Sequence, residues 1–148
     1  MNMSQEFNLC LEHGKIKKFT PGPRLAGKEL KSARQDLDAS SKSYGDKDFK
    51  WCIIQSYYSM FHSARALLYS AGYREKSHFC LMEAVKVLFV ENGKLDLFLL
   101  ESLAEAKNLR EAADYYGDFS ELNSRKLLKR AEAFLEAVEK IINSPASA

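Results

Sequence analysis

Between Trp51 and His78 the apolar positions are too numerous for a helix that buries a single face. Trp51, Ile54, Tyr58, Phe61, Arg65 and Leu68 step by threes and fours along one stripe. Ile53, Tyr57, Met60, Ala64 and Leu67 do the same along an adjacent one. A surface helix needs only one such stripe. The strip left over holds Gln55, Ser59, His62, Ala66 and Ser70, small or uncharged side chains that let another helix come close. The pattern predicts a helix at the centre of a bundle, with Gln55, Ser59 and His62 facing a second subunit. A fully buried Trp51 would cost about 3–5 kcal/mol on truncation to alanine.

The same periodicity, punctuated by capping residues, predicts the neighbours. One helix runs from Leu25 to about Tyr44, with Leu25, Leu30, Ala33 and Leu37 on its apolar side and Gly45 after its end. The central helix follows from about Asp48 to Ser70, capped by Asp46 and stopped at Gly72. Ser77 caps a third through Val90, closed by Asn92-Gly93. A fourth runs from Asp96 to Tyr116, with Gly117 beyond. Ser120 starts a fifth, on which Leu127, Leu128, Ala131, Phe134, Leu135, Val138 and Ile141 recur at helical spacing. Residues 1–24 read as an irregular arm ending in Thr20-Pro21-Gly22-Pro23, which cannot be helical throughout. Residues 144–148 read as a frayed tail. No segment alternates strictly enough to argue for a sheet. Short loops favour antiparallel neighbours, so the expected fold is all-α, an up-and-down antiparallel bundle of about five helices over residues 25–143.

Composition narrows the function classes. The chain has 148 residues, enough for one domain with a real core. Its 22 basic and 20 acidic residues leave a net charge of +2, which excludes a uniformly polyanion-seeking surface but leaves room for a local basic patch. No apolar run approaches the ~20 residues of a membrane span. The first residues lack the apolar region of a signal peptide, so the default expectation is a cytoplasmic protein without a membrane partner. Cys10, Cys52 and Cys80 are odd in number and form no C-x-x-C pair, which points to reduced, mostly buried thiols. His13, His62 and His78 are equally scattered, so neither a metal site nor a cofactor is expected.

Three features could carry chemistry. Arg65 lies within an apolar seam, where an unpaired guanidinium is very costly to bury. Either it pairs with an acid on a neighbouring helix or it contacts a ligand. In Arg74-Glu75-Lys76-Ser77-His78, a helix start capped by Ser77 places free N–H groups beside Lys76 and His78, a combination that can hold phosphate; the plainer account is a solvated basic turn. Arg110 and Asp114 share a helix face with Leu103, Ala106 and Ala113, so they turn inward. They could wall a site with Arg65, or lock helix packing as a structural pair.

The string KWCIIQSYYSMFHSARALLYSAGYREKSH, followed by LREAADY, resembles the small prokaryotic HEPN proteins, named for nucleotide binding. The resemblance spans Leu25 to Ile142. It implies a helical bundle, usually a homodimer, with a site where two protomers meet. Many members are ribonuclease toxins restrained by a nucleotidyltransferase encoded beside them. Active members carry Arg followed after four to six residues by His. Here Arg110 matches, but Tyr115, Tyr116 and Gly117 stand where the histidine belongs. Tyrosine, with a reference pKa near ~10, is a poor substitute for a proton-transfer group that titrates near neutrality. The resemblance also makes Tyr115 and Tyr116 candidates, by position, for modification by the partner, and Tyr115 a candidate ligand contact. The leading expectation is a dimeric, nucleotide- or RNA-associated module with a degenerate ribonuclease motif. The rivals are a metal-independent ribonuclease using Arg110 with Asp114, His62 or His78, and a purely structural helical adaptor.

Overall fold

The computed structural model describes residues 3–144. In chain order it contains α1 (Met3–Glu12), β1 (Ile16–Lys18), α2 (Gly22–Gly45), α3 (Phe49–Ser70), β2 (Tyr73–Glu75), α4 (His78–Val85), α5 (Leu97–Tyr116) and α6 (Glu121–Asn143). A π-helical turn, Lys86–Val90, prolongs α4; the Glu91 N–H reaches back to the Lys86 carbonyl at 2.9 Å. The fold is all-α apart from the two short strands.

Local chemistry sets most of the boundaries. Ser77 accepts from the Cys80 N–H, Asp96 from the Phe98 N–H and Ser120 from the Asn123 N–H, each satisfying a donor that the first helical turn leaves free. Gly117 closes α5 in the left-handed conformation, with φ of 62°. One cap differs from expectation. Asp46 closes the C-terminal end of α2, and Asp48 caps α3 through the Trp51 N–H, because the chain turns through Lys47, at φ 62°, before α3 starts.

α3 is the hub, touching α2, α4, α5, α6 and β2. Its packing on α2 is antiparallel. The Ser43 and Gln55 side chains hydrogen-bond, Ser59 donates to the Ala33 carbonyl, and Glu29 meets His62, a ladder that descends one helix as it climbs the other. The pair closes tightly at its far end, where a Cβ on Gly22 would stand 2.5 Å from the Tyr69 carbonyl oxygen. Phe134, Met60, Leu67, Leu103, Leu127, Leu135 and Val138 are fully buried between α3, α5 and α6. None of the described helices is long and apolar enough to cross a membrane.

Four expectations change. The small-residue strip of α3 does not lie open for a second subunit; α2 of the same chain fills it, and Ser59 is completely enclosed. Of the expected arm 1–24, residues 3–24 are more regular than composition suggests: α1 packs on α4, β1 pairs with β2, and α2 begins at Gly22 with Pro23 in its first turn, where a missing N–H costs nothing. Cys10 and Cys80 form a disulfide, with Cα atoms 5.8 Å apart, and only Cys52 is a free thiol, pushed by burial to about 11. The pairing has no local spacing signal because it depends on α1 docking against α4 across 70 residues of sequence. Residues 145–148 of the expected frayed tail lie outside the described residues.

The fourth change is Trp51, which begins an apolar stripe yet is 49% exposed. It sits in the first turn of α3, with the Lys50 ammonium 5.9 Å from its ring, beyond the reach of the flanking helices. Trp51→Ala is therefore expected to cost about 1 kcal/mol or less, whereas Phe134→Ala in the core costs about 3–5 kcal/mol. Urea unfolding of the two variants measures the contrast; equal losses would mean that Trp51 is covered.

Candidate functional site

The α5 face that carries Leu103, Ala106 and Ala113 turns into the core, and Arg110 is carried with it to the rim. There the guanidinium enters a cage of tyrosines. Its carbon lies 5.8 Å from the Tyr57 ring, 5.5 Å from the Tyr58 ring and 5.5 Å from the Tyr115 ring, within cation–π range of each. One terminal nitrogen donates to the Tyr58 hydroxyl at 3.0 Å and stands 3.5 Å from Asp114. Burial alone would lower the guanidinium's pKa, but the Tyr58 and Tyr115 hydroxyls and Asp114 outweigh it and raise it. Arg110 is therefore a fixed positive charge, its Nε buried without a partner and its side chain 19% exposed at the rim.

A second layer stacks behind the cage. His78, the first residue of α4, lies nearly parallel to Phe61, 6.3 Å away at 12°, and 6.2 Å from Tyr57. Its Nε2 is buried and unpartnered. Burial first, then the Lys107 ammonium, holds the imidazole below its ordinary value, so it stays neutral near pH 7. Burial pushes Tyr57 up to about 12, which keeps its phenol protonated. Arg65 lies over the other side of the stack, its guanidinium 4.5 Å from the Phe61 ring.

Arg65 itself is committed to acids. It donates to Glu75 Oε2 at 2.8 and 3.1 Å and stands 3.6 Å from Glu29. Of the two accounts open for Arg65, the ion pair is the one realised in this geometry. The structure thus brings Arg65, His78, Arg110, Asp114 and Tyr115 to one side of the bundle. It does not bring the rest. The Ser77 hydroxyl is spent on capping, and Lys76 stands among the lysines of the β1–β2 ribbon. His62 lies on the α2 side between Glu29 (3.0 Å) and Asp36 (3.7 Å), away from Arg110. Tyr116, 83% exposed, points to solvent. Among the described residues no cluster of three His, Cys, Asp or Glu side chains could hold a metal ion.

Sequence reasoning assigned Tyr57 and Tyr58 to the apolar stripes and so missed them as cage walls. Their hydroxyls were the available signal, since a tyrosine on a buried stripe brings a polar tip that needs a partner.

The neutral His78 gives a pH signature. Its folded pKa lies below the ordinary 6.5, so the unfolded chain takes up the proton first. Its contribution to stability is complete above pH 6.5 and is lost as pH falls toward the depressed folded value. His78→Gln should therefore lose less stability than the wild type between about pH 7.5 and 5.5 in urea unfolding. The shifted carboxylates Asp36 and Glu83 are common to both proteins and cancel in the difference. Parallel curves would show that His78 is solvated and charged in the folded state.

Comparison with known proteins identifies the family. A protein of Methanocaldococcus jannaschii named "Putative toxin MJ0142" is 29% identical over 119 residues, covering 79% of this chain and 81% of the relative. A second from the same organism, "Putative toxin MJ0605", is 26% identical over 114 residues, covering 76% and 85%. A UPF0332 protein of Thermotoga maritima is 29% identical over 112 residues, covering 74% and 85%. The HEPN domain matches residues 27–141, from the first turns of α2 to the end of α6 and including Arg65, His78 and Arg110. The chain belongs to the HEPN domain family.

Proposed function

We propose that the protein is a toxin-type HEPN module that binds RNA through Arg110, forms a homodimer over the α3–α5 face, and works with a nucleotidyltransferase partner. The observation that carries this reading is the state of Arg110. It is a permanent cation, oriented by Tyr58 and Asp114, walled by aromatic faces and still 19% exposed at the rim. Such a group suits a phosphate oxygen with a base stacked beside it. The toxin-named relatives support the biological setting. Dimerisation is supported by the exposed apolar side chains Trp51, Tyr115, Tyr116, Phe119 and Leu122, which lie at the start of α3, the end of α5 and the start of α6. Tyr115 and Tyr116 at the same end are the hydroxyls best presented for modification by a partner.

Binding without cleavage follows from the residues after Arg110. Tyr115 and Tyr116 stand where a proton-transferring histidine would be needed, and Asp114 is taken up by Arg110. A second reading, a metal-independent ribonuclease, is favoured by one observation: the neutral imidazole of His78 stacks on Tyr57, whose ring also faces Arg110.

Fluorescence anisotropy with a labelled single-stranded RNA tests the first reading. Arg110→Ala is expected to weaken binding about tenfold or more while leaving the circular dichroism melt within a few degrees. Wild type that binds no RNA, or binds as the variant does, would retire it. Incubation with total RNA in chelator separates the readings: no cleavage is expected, and cleavage lost on both Arg110→Ala and His78→Gln would establish the enzyme. A strict monomer by light scattering at micromolar concentration would remove the dimer.

A further inference from the structure

The antiparallel β1–β2 ribbon joins two segments that are distant in sequence, and both are basic. Lys17 pairs directly with Arg74 and Ile16 with Glu75, and the Lys76 N–H donates to the Lys15 carbonyl at 2.8 Å. Side chains alternate across a strand, so Lys15 and Lys17 share one face with Arg74 and Lys76. Ile16 and Glu75 point the other way, into the bundle. All four cations are exposed, and none of them takes part in an ion pair among the described residues. The ribbon's only acid, Glu75, is 6% exposed and already bound to Arg65. The outer face of the ribbon is therefore wholly cationic on a protein whose net charge is only +2.

Like charges directly opposite on paired strands repel and work against the ladder. The crowding is felt at Lys76, whose ammonium is held below its ordinary value chiefly by Lys17, with Arg74 and Lys15 adding. The ribbon persists because it is pinned elsewhere. Ile16 is 1% exposed, the Lys15 N–H bonds to the Cys10 carbonyl, and Cys10 is tied to Cys80 four residues past Lys76. Arg74 is steadied by the Phe19 ring at 5.5 Å. A fold that holds four unpaired cations in one small patch has a face matched to a ligand of several negative charges.

We propose that this ribbon is a second contact surface for single-stranded RNA and takes the phosphate backbone beyond the nucleotide held at Arg110. The proposal rests on the RNA reading of Arg110 and extends it. Two observations select RNA over an acidic protein segment. The outer face gathers four cations and no acid, with the Phe19 ring beside Arg74, a pairing of charge and aromatic surface suited to the regularly spaced phosphates and bases of a single strand. The ribbon is also joined to the arginine cage through its inner face, since Glu75 holds Arg65, Arg65 stacks on Phe61, and Phe61 stacks on His78 and on Tyr57 beside Arg110.

The test compares a labelled 20-nucleotide RNA with a trinucleotide, binding to wild type, Arg110→Ala and the double variant Lys17→Gln/Lys76→Gln. The double variant should bind the long RNA at least ~10-fold more weakly at low salt. The slope of log affinity against log salt should fall by about 1.4, at about 0.7 per lost phosphate contact on a single strand. It should bind the trinucleotide as wild type does, while Arg110→Ala loses both ligands. Its melting temperature should be unchanged or higher, because a repulsion has been removed. Lys15→Gln/Arg74→Gln should reproduce the result. If the long RNA binds both ribbon variants as tightly as wild type, the ribbon is not an RNA surface and the Arg110 reading still stands. If wild type binds neither RNA, both readings fail. If polyglutamate of matched charge displaces the long RNA from the ribbon at lower concentration than RNA itself, the surface belongs to an acidic protein and the proposal is overturned.

Discussion

A guanidinium drawn out of water has to be met by carboxylates, and Arg65 is met by two from different parts of the chain. Glu75 comes from the ribbon at 2.8 Å and Glu29 from α2 at 3.6 Å. Much of the molecule is arranged around that requirement. Turning Glu75 inward fixes which face of β2 looks at the bundle, and hence which residues of β1 look out. The result is an apolar Ile16 below and cations above. On its other side Arg65 covers Phe61 and so closes one edge of the stack that runs through His78 and Tyr57 to Arg110. One charge pair thus orients both the candidate phosphate site and the basic ribbon.

In the proposed reading, Arg110 keeps the charge of a family site while the residues after it change its chemistry. Its position on α5, its aromatic walls and its carboxylate neighbour all serve to place a cation at a rim. The residues that follow it supply phenols, and burial keeps the neighbouring Tyr57 protonated, at about 12. The proposed function rests on what remains, a preorganised cation that can meet negative charge. His78 is the one histidine near this cluster, and its lowered pKa reflects burial in an aromatic stack.

The parts of this structure legible in the sequence are those decided within a few residues. The caps Ser77, Asp96 and Ser120, the stop at Gly117 and the inward face of Arg110 all follow from helical spacing and hydrogen-bonding chemistry. What was hidden depends on which element packs against which. The strip at Ser59 has the small residues of a close helix contact, and periodicity cannot tell a helix of the same chain from one of another. Trp51 lies on an apolar stripe, yet no neighbouring element extends far enough to cover it. The Cys10–Cys80 disulfide, the β1–β2 ladder and the basic face that results join positions more than 50 residues apart. No local pattern encodes them.

A double-mutant cycle on Arg65 and Glu75 tests the organising role of their pair most directly. Stability is measured by urea unfolding for Arg65→Met, Glu75→Gln and the double variant. If the pair holds the ribbon and the stack together, each single change strands the other partner, and the double variant loses less than the sum by about 1–3 kcal/mol. Losses that add to within about 0.5 kcal/mol would show that the two side chains do not depend on each other, and would contradict the account.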